Sequence, residues 1–233
     1  MTVIENSSSR VTTGPLLACA ALPPFNSMNL DSVRHAFQSV ARCELRQAWQ
    51  AKTSPHFAPA VVRAGWSRNV LQVYAELTDA DILTQASGLN QRLWELGDSF
   101  EIFLRPEGRE AYVEFQVSPN NQRLQLRYAN IAALDRARKT GDLNAVLIPG
   151  DAFSSRTWIE EHSSRWHVLA EIPALSVCGS SDALGDGRWY FSFSRYDYTH
   201  GGGEPVISST SPHAEADFHR QQEWGEMKFV SFT

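Results

Sequence analysis

Apolar and polar residues alternate one for one along much of the chain, the period of a strand with one buried face. Leu71, Val73, Ala75 and Leu77 interleave with Gln72, Tyr74 and Glu76. Phe100, Ile102 and Leu104 interleave with Ser99, Glu101 and Phe103, and Val113, Phe115 and Val117 with Tyr112, Glu114 and Gln116. The same period returns at 124–128, 166–172 and 189–193, and in shorter form near 43–45, 62–66 and 227–232. About nine short strands punctuated by Pro, Gly and Asn predict an all-β fold. An antiparallel β-sandwich with immunoglobulin-like layering is expected, because neither face of such a sheet stays dry without a second layer over it.

Two stretches read as short helices. The better one runs from Asn130 to Thr140, with Asn130 as N-cap, Ile131, Leu134 and Ala137 on one side and Gly141 as the stop. A weaker one lies within 29–40. Residues 1–35, Ser/Thr-rich and then proline-rich, read as a partly irregular arm, and 36–233 as one domain. The central hairpin has a definite expected register. Phe100 faces Val117, Ile102 faces Phe115 and Leu104 faces Val113, which sets Glu101 beside Gln116 and Phe103 beside Glu114 on the other face. That polar face is either a solvated surface or a place where a hydroxyl-rich ligand finds hydrogen bonds.

Composition narrows the function classes. A chain of 233 residues, 42% hydrophobic and 20% charged, builds a core without metals or disulfides. With 26 acidic against 21 basic residues it has no basic footprint for a phosphate backbone, so a nucleic-acid partner is not expected. The apolar stretch 15–25 is broken by Pro23 and Pro24 and falls short of the roughly 20 residues of a membrane span, so no membrane insertion is expected. Only Arg10 precedes it, which is not the flank of an export signal, so the sequence as given leads to the expectation of a cytoplasmic compartment. Cys19, Cys43 and Cys178 are an odd number at wide spacing, read as buried apolar residues.

Candidate chemistry is sparse. There is no nucleophile elbow, zinc-protease motif or phosphate-binding loop; the triplet Gly201, Gly202 and Gly203 leads into Glu204-Pro205 and reads as a loop. Glu101 and Glu114 are a carboxylate pair of the kind a glycoside hydrolase uses. His213, Glu215, Asp217 and His219 would lie on one side if extended, as metal ligands do, or they serve a loop. Asp79 and Asp81 close a strand, where they either ligate calcium or form an Asx turn. Seven tryptophans are many for this length. Trp66, Trp166 and Trp189 belong to apolar stripes and read as core. Trp94 sits between polar residues 88–92 and Gly97-Asp98, just ahead of the strand bearing Glu101, where an indole serves either as rim packing or as a stacking face for a sugar ring.

The segment Trp94-Glu-Leu-Gly-Asp-Ser-Phe-Glu-Ile-Phe-Leu104, preceded by Leu71-Gln-Val-Tyr-Ala-Glu-Leu-Thr-Asp79 and Asp81-Ile82, resembles the carbohydrate-binding module family 9 domain, often appended to xylanases. Further matches are Tyr112 to Pro119, Ile172-Pro173, the aromatic strand from Trp189 to Arg195 and the closing stretch from Phe218 to Phe229 with its Trp224-Gly225. The resemblance implies a sandwich related to the DOMON-like folds, with calcium in some members but no cofactor required. It further implies non-catalytic binding of glucan or xylan chain ends, a role in polysaccharide catabolism and an extracellular or periplasmic setting. It makes Trp94 a stacking ring, Glu101 a hydroxyl-binding carboxylate and Gln116 the occupant of a position that is basic in sugar-binding members. Glu114 and Arg195 join the expected ligand-binding set. One extra residue separates Trp94 from Asp98, and no second clamp tryptophan stands in 208–213; Tyr196, Tyr198 and His213 are the candidate replacements. A glycoside hydrolase, or an interaction module with a degenerate sugar site, are the alternatives.

Overall fold

The computed structural model describes residues 14–179, 184, 187–199 and 202–230. The Ser/Thr-rich run up to Thr13, Gly201 and the expected end of the last strand at 231–232 lie outside the described residues. Strands dominate: β1 (Leu16–Ala21), β2 (Cys43–Glu44), β3 (Ala60–Ser67), β4 (Val70–Thr78), β5 (Ser99–Pro106) and β6 (Tyr112–Val117). They continue as β7 (Arg123–Tyr128), β8 (Ser154–Glu160), β9 (Arg165–Pro173), β10 (Arg188–Asp197), β11 (Val206–Ser209) and β12 (Gly225–Val230). Four short helices accompany them, α1 (Leu30–Phe37), α2 (Leu93–Leu96), α3 (Ile131–Thr140) and α4 (Ala174–Cys178). Among the described residues no helix is long and apolar enough to cross a membrane.

Among the described residues twelve strands replace the expected nine, because β1, β8 and β11 hide their alternation. β8 is a polar edge strand and β11 has only four residues. β1, Leu-Leu-Ala-Cys-Ala-Ala, is apolar throughout. It corrects the reading of residues 1–35 as an arm, since it lies between β12 and β3, parallel to both. Pairing decides its faces: Leu17 and Cys19 are buried, whereas Leu16 is 78% exposed.

The strands pair in the order β7-β6-β5-β10-β12-β1-β3-β4-β9-β8, with β11 added to β10 and β2 to β3. One core cluster draws Phe100, Ile102 and Phe115 from one end of this order and Val73, Trp166 and Val168 from the other. The sheet therefore curls until its two ends share a core. Each large side chain so buried contributes about 1.5–3 kcal/mol. Trp166 and Trp189 lie fully inside it, as their apolar stripes predict.

The β5–β6 hairpin has the expected register at every pair. At β7 the apolar phase changes sides. Leu124, Leu126 and Tyr128 pair with Gln116, Glu114 and Tyr112, so they share the face of Glu101 rather than that of the main core. A second apolar cluster covers this face, joining them to Leu134 and Ala137 of α3 and to Phe218 and Trp224. The α3 boundaries follow its caps: the Asn130 side chain accepts from Ala133 N–H, and Gly141 is left-handed. Ile131, expected on the packed side, is 50% exposed. Gly225, after Trp224, is required by close approach, because a Cβ there would lie 2.6 Å from the Pro15 carbonyl.

Candidate functional site

The hairpin register stands Glu101 beside Gln116, and the two-residue strand period puts Glu114 on the same face. Covered by α3 and by the chain between β11 and β12, this face is buried, not solvated. Glu101, Glu114 and Gln116 are 2%, 3% and 0% exposed. One amide bridges both acids: Gln116 Nε2 donates to Glu101 Oε1 at 2.7 Å and to Glu114 Oε1 at 2.5 Å. Burial, and then the neighbouring Glu114 charge, hold the Glu101 carboxyl well above the usual range. Burial likewise raises Glu114 to about 7, against Gln116, Tyr128 and Arg138, which favour its charged form. The three side chains line a cavity of about 470 Å³.

The walls come from three separate parts of the chain. Trp94 sits on the single turn of α2, half-buried, and lines the cavity. The turn ends at Gly97, with φ of 134°, where a Cβ would stand 2.2 Å from the Leu83 carbonyl oxygen. Asp98, fully buried, accepts from Leu83 N–H at 2.6 Å and Tyr198 N–H at 2.7 Å, and the Tyr198 hydroxyl donates to the Trp94 carbonyl at 2.6 Å. Asp98 and Tyr198 thus hold the turn that presents the indole. Leu134, Ala137 and Arg138 of α3 form a second wall, and Phe218 and His219 a third. Arg138 donates to both Asp217 oxygens, at 2.7 and 3.2 Å; burial opposes the Asp217 charge, but this pair keeps the carboxyl below its usual range. Burial, reinforced by Arg138, pushes His219 down to about 3.

Of the eight residues expected to bind ligand, Trp94, Glu101, Glu114, Gln116 and Tyr196 line this cavity, and Arg195, Tyr198 and His213 do not. Arg195 and Tyr196 are neighbours on a strand, so they face opposite sides. Arg195 turns inward, fully buried, donating to the Thr78 carbonyl at 2.7 Å and Asp79 Oδ2 at 2.9 Å and lying 3.1 Å from Asp197 Oδ1. Tyr198 supports Trp94 from behind. His213 is buried 3.1 Å from Glu223 and belongs to the loop's own packing. The expected alternation of His213, Glu215, Asp217 and His219 dissolves in the same loop. Glu215 is exposed beside Arg220, and Asp217 and His219 engage Arg138 and Tyr112.

The acidic group with metal-ligand spacing among the described residues is another one. Asp79, Asp98 and Asp197 each offer an oxygen within 4.8 Å of the others. Asp81 supplies a backbone N–H to Asp79 Oδ1 at 2.9 Å, the Asx-turn alternative. An all-oxygen set suits calcium, but the Arg195 guanidinium already touches two of the three carboxylates and backbone N–H groups take both oxygens of Asp98. The residues therefore do not fit a resident cation; arginine stands in its place. Desolvation, and then Asp79, raises Asp98 to about 8, and desolvation raises Asp197 to about 6.

Sequence reading missed Tyr128, Arg138, Phe218 and His219 in the cavity wall. For Tyr128 the signal was present: it alternates with arginines on β7, and pairing through β6 carries it to the Glu101 face. For the others no local signal exists, because α3 and the 210–220 loop meet the sheet only in three dimensions.

No protein-family model matches the sequence, and no curated protein matches it. Solved structures do match. A candidate carbohydrate-binding protein from Bacteroides uniformis superposes with a TM-score of 0.72 at 16% identity, over 94% of this chain and 100% of that one. A carbohydrate-binding module of family 9 from Caldicellulosiruptor kristjanssonii, in complex with cellotriose, gives 0.64 at 17% identity over 93% and 94% of the two chains. A family 9 module from the same organism in complex with glucose gives 0.61 at 16% identity over 94% and 97%. The fold is that of the family 9 modules, as the sequence resemblance implied.

Proposed function

We propose that the protein is a non-catalytic carbohydrate-binding protein that takes the end of a glucan- or xylan-type chain into the cavity beside α3. One observation carries this reading: a half-buried indole and a floor of three buried hydrogen-bonding side chains line the same 470 Å³ cavity. A pyranose presents a flat C–H face and an equatorial rim of hydroxyls, and these need that pair of surfaces. Cellotriose and glucose, the ligands of the two family 9 neighbours, are of this class. Tyr196 takes the place of the missing second tryptophan. In the same reading the curled sheet is a two-layer sandwich bridged by β1, and Arg195 does the work of a structural calcium.

Glycoside cleavage is the weaker reading. It needs two carboxyl groups on two sides of the scissile bond. Glu101 and Glu114 are bonded to one amide and stand on one sheet face, hence on one side of anything bound.

Calorimetric titration with glucose, cellobiose, xylobiose and their reduced alditols tests the proposal. We expect saccharide binding that weakens at least about tenfold in Trp94→Ala, a loss of about 1.4 kcal/mol or more, while the melting temperature moves by only a few degrees. Weaker binding of the alditols is the mark of chain-end recognition. No heat with any sugar from the folded protein overturns the reading.

A further inference from the structure

The cavity floor holds more acceptors than the protein supplies donors. Gln116 spends its amide nitrogen on one oxygen of each acid. That leaves Gln116 Oε1 and Glu114 Oε2 buried without a hydrogen bond of normal geometry, in side chains 0% and 3% exposed that line the cavity, and the Tyr128 hydroxyl, which acts on the Glu114 carboxylate, is a neutral donor. A buried acceptor without a donor is costly to the fold, more so when it is charged.

The cations that line the cavity are already engaged. Arg138 is paired with Asp217, and Arg92 donates to Glu95 at 3.1 Å and to the Gly141 carbonyl. His219 is the remaining basic group. Its Nδ1 faces the Tyr112 hydroxyl at 2.8 Å, and its Nε2 stands 3.6 Å from Glu114 Oε2, beyond hydrogen-bond length. Burial keeps this imidazole neutral. With Arg138 and Asp217 cancelling, the floor is acidic and lacks a charged donor.

A hydroxyl group would satisfy the two free acceptors but leave the charge uncompensated. An alkylammonium group does both, since it carries three N–H donors and one positive charge, and hydrogen bonds to an ionised partner are about twice as strong as neutral ones. The aromatic lining of Trp94, Tyr128 and Tyr196 also favours a cation over a neutral group of equal size. We propose that the cavity prefers a saccharide end bearing a free, protonated amine, a hexosamine terminus, over the neutral parent sugar. This rests on the saccharide reading above and names the ligand class within it.

The test is titration of the full chain near pH 7, where the amine is still largely protonated and Glu114, with its value of about 7, is half ionised, with glucose, 2-amino-2-deoxyglucose and its N-acetyl derivative, alongside cyclohexylamine as an amine without hydroxyls. The expected result is that the amino sugar binds at least about tenfold tighter than glucose, that acetylation removes the gain, and that cyclohexylamine binds more weakly than the amino sugar. In Glu114→Gln, checked for fold by circular dichroism, the ratio of amino-sugar to glucose affinity falls toward one. The N-acetyl arm needs no variant and stands if that protein does not fold. Glucose binding as tight as the amino sugar overturns this inference and leaves the saccharide reading intact. Silence from all three sugars overturns both, and cyclohexylamine matching the amino sugar overturns the saccharide part.

Discussion

Two buried acidic clusters stand in this molecule, and they differ in where their counter-charge comes from. Around Asp79, Asp98 and Asp197 the protein supplies its own cation, Arg195, together with backbone N–H donors. Around Glu101 and Glu114 it supplies a neutral amide and leaves acceptors open toward a cavity. The first arrangement holds parts of the chain together, tying the ends of β4, β5 and β10. The second is costly to the fold and useful only if something else completes it. Burial alone therefore does not single out an acid for a binding role; the proposal rests on burial without a charged internal partner, facing a cavity.

The sharpest way to break this contrast is to remove the internal cation. Arg195→Met takes the cation from Asp79 and Asp197 and is expected to lose about 3–5 kcal/mol in urea denaturation. A loss below about 1 kcal/mol would end the reading of that cluster as structural. At the cavity the sign reverses. A carboxyl whose folded pKa is raised favours the native state while protonated. Stability is therefore expected to fall as pH climbs from the unfolded carboxylate range near 4 to the Glu114 value of about 7. Asp98 and Asp197, raised to about 8 and about 6, add to the same slope, so the double variant Glu101→Gln, Glu114→Gln reduces it without abolishing it and gains on the order of 2 kcal/mol at pH 8. An unchanged slope between pH 5 and pH 8 would show that these acids carry no such penalty.

Smaller effects sharpen the same comparison. Tyr198→Phe removes the hydroxyl that holds the Trp94 carbonyl and should cost about 1 kcal/mol of stability, with a two- to threefold loss of sugar affinity measured by titration. Equal affinities for the variant and the native protein would detach Tyr198 from the positioning of Trp94. Smallest of all, millimolar calcium or EDTA is expected to move the melting temperature by less than about 1 °C. A rise of several degrees with calcium would put an ion where Arg195 is read as sufficient.

The hairpin shows why part of the site was legible in advance. A strand's faces follow from its period of two, so once Phe100, Ile102 and Leu104 are placed against the core, Glu101 must share a face with Gln116 and Glu114. α3 was legible for a similar local reason, its capping residues Asn130 and Gly141. Tyr198 and His213 were misplaced because they sit where backbone direction is set by distant contacts, Tyr198 just past the end of β10 and His213 in the loop beyond β11. Arg195 leaves the expected set by the same period of two, which sends it to the side opposite Tyr196.

Local order along the chain was enough to dictate an all-β class, the β5–β6 register and the grouping of Trp94 with Glu101, because these depend on residues near one another or on a strict alternation. The pairing of β1 with β12, the placing of Phe218 over the polar face, and the choice of Arg195 as an internal cation depend on segments more than a hundred residues apart meeting in space. Those meetings convert a polar strand face, which in isolation water would cover, into a buried floor with acceptors open toward a cavity.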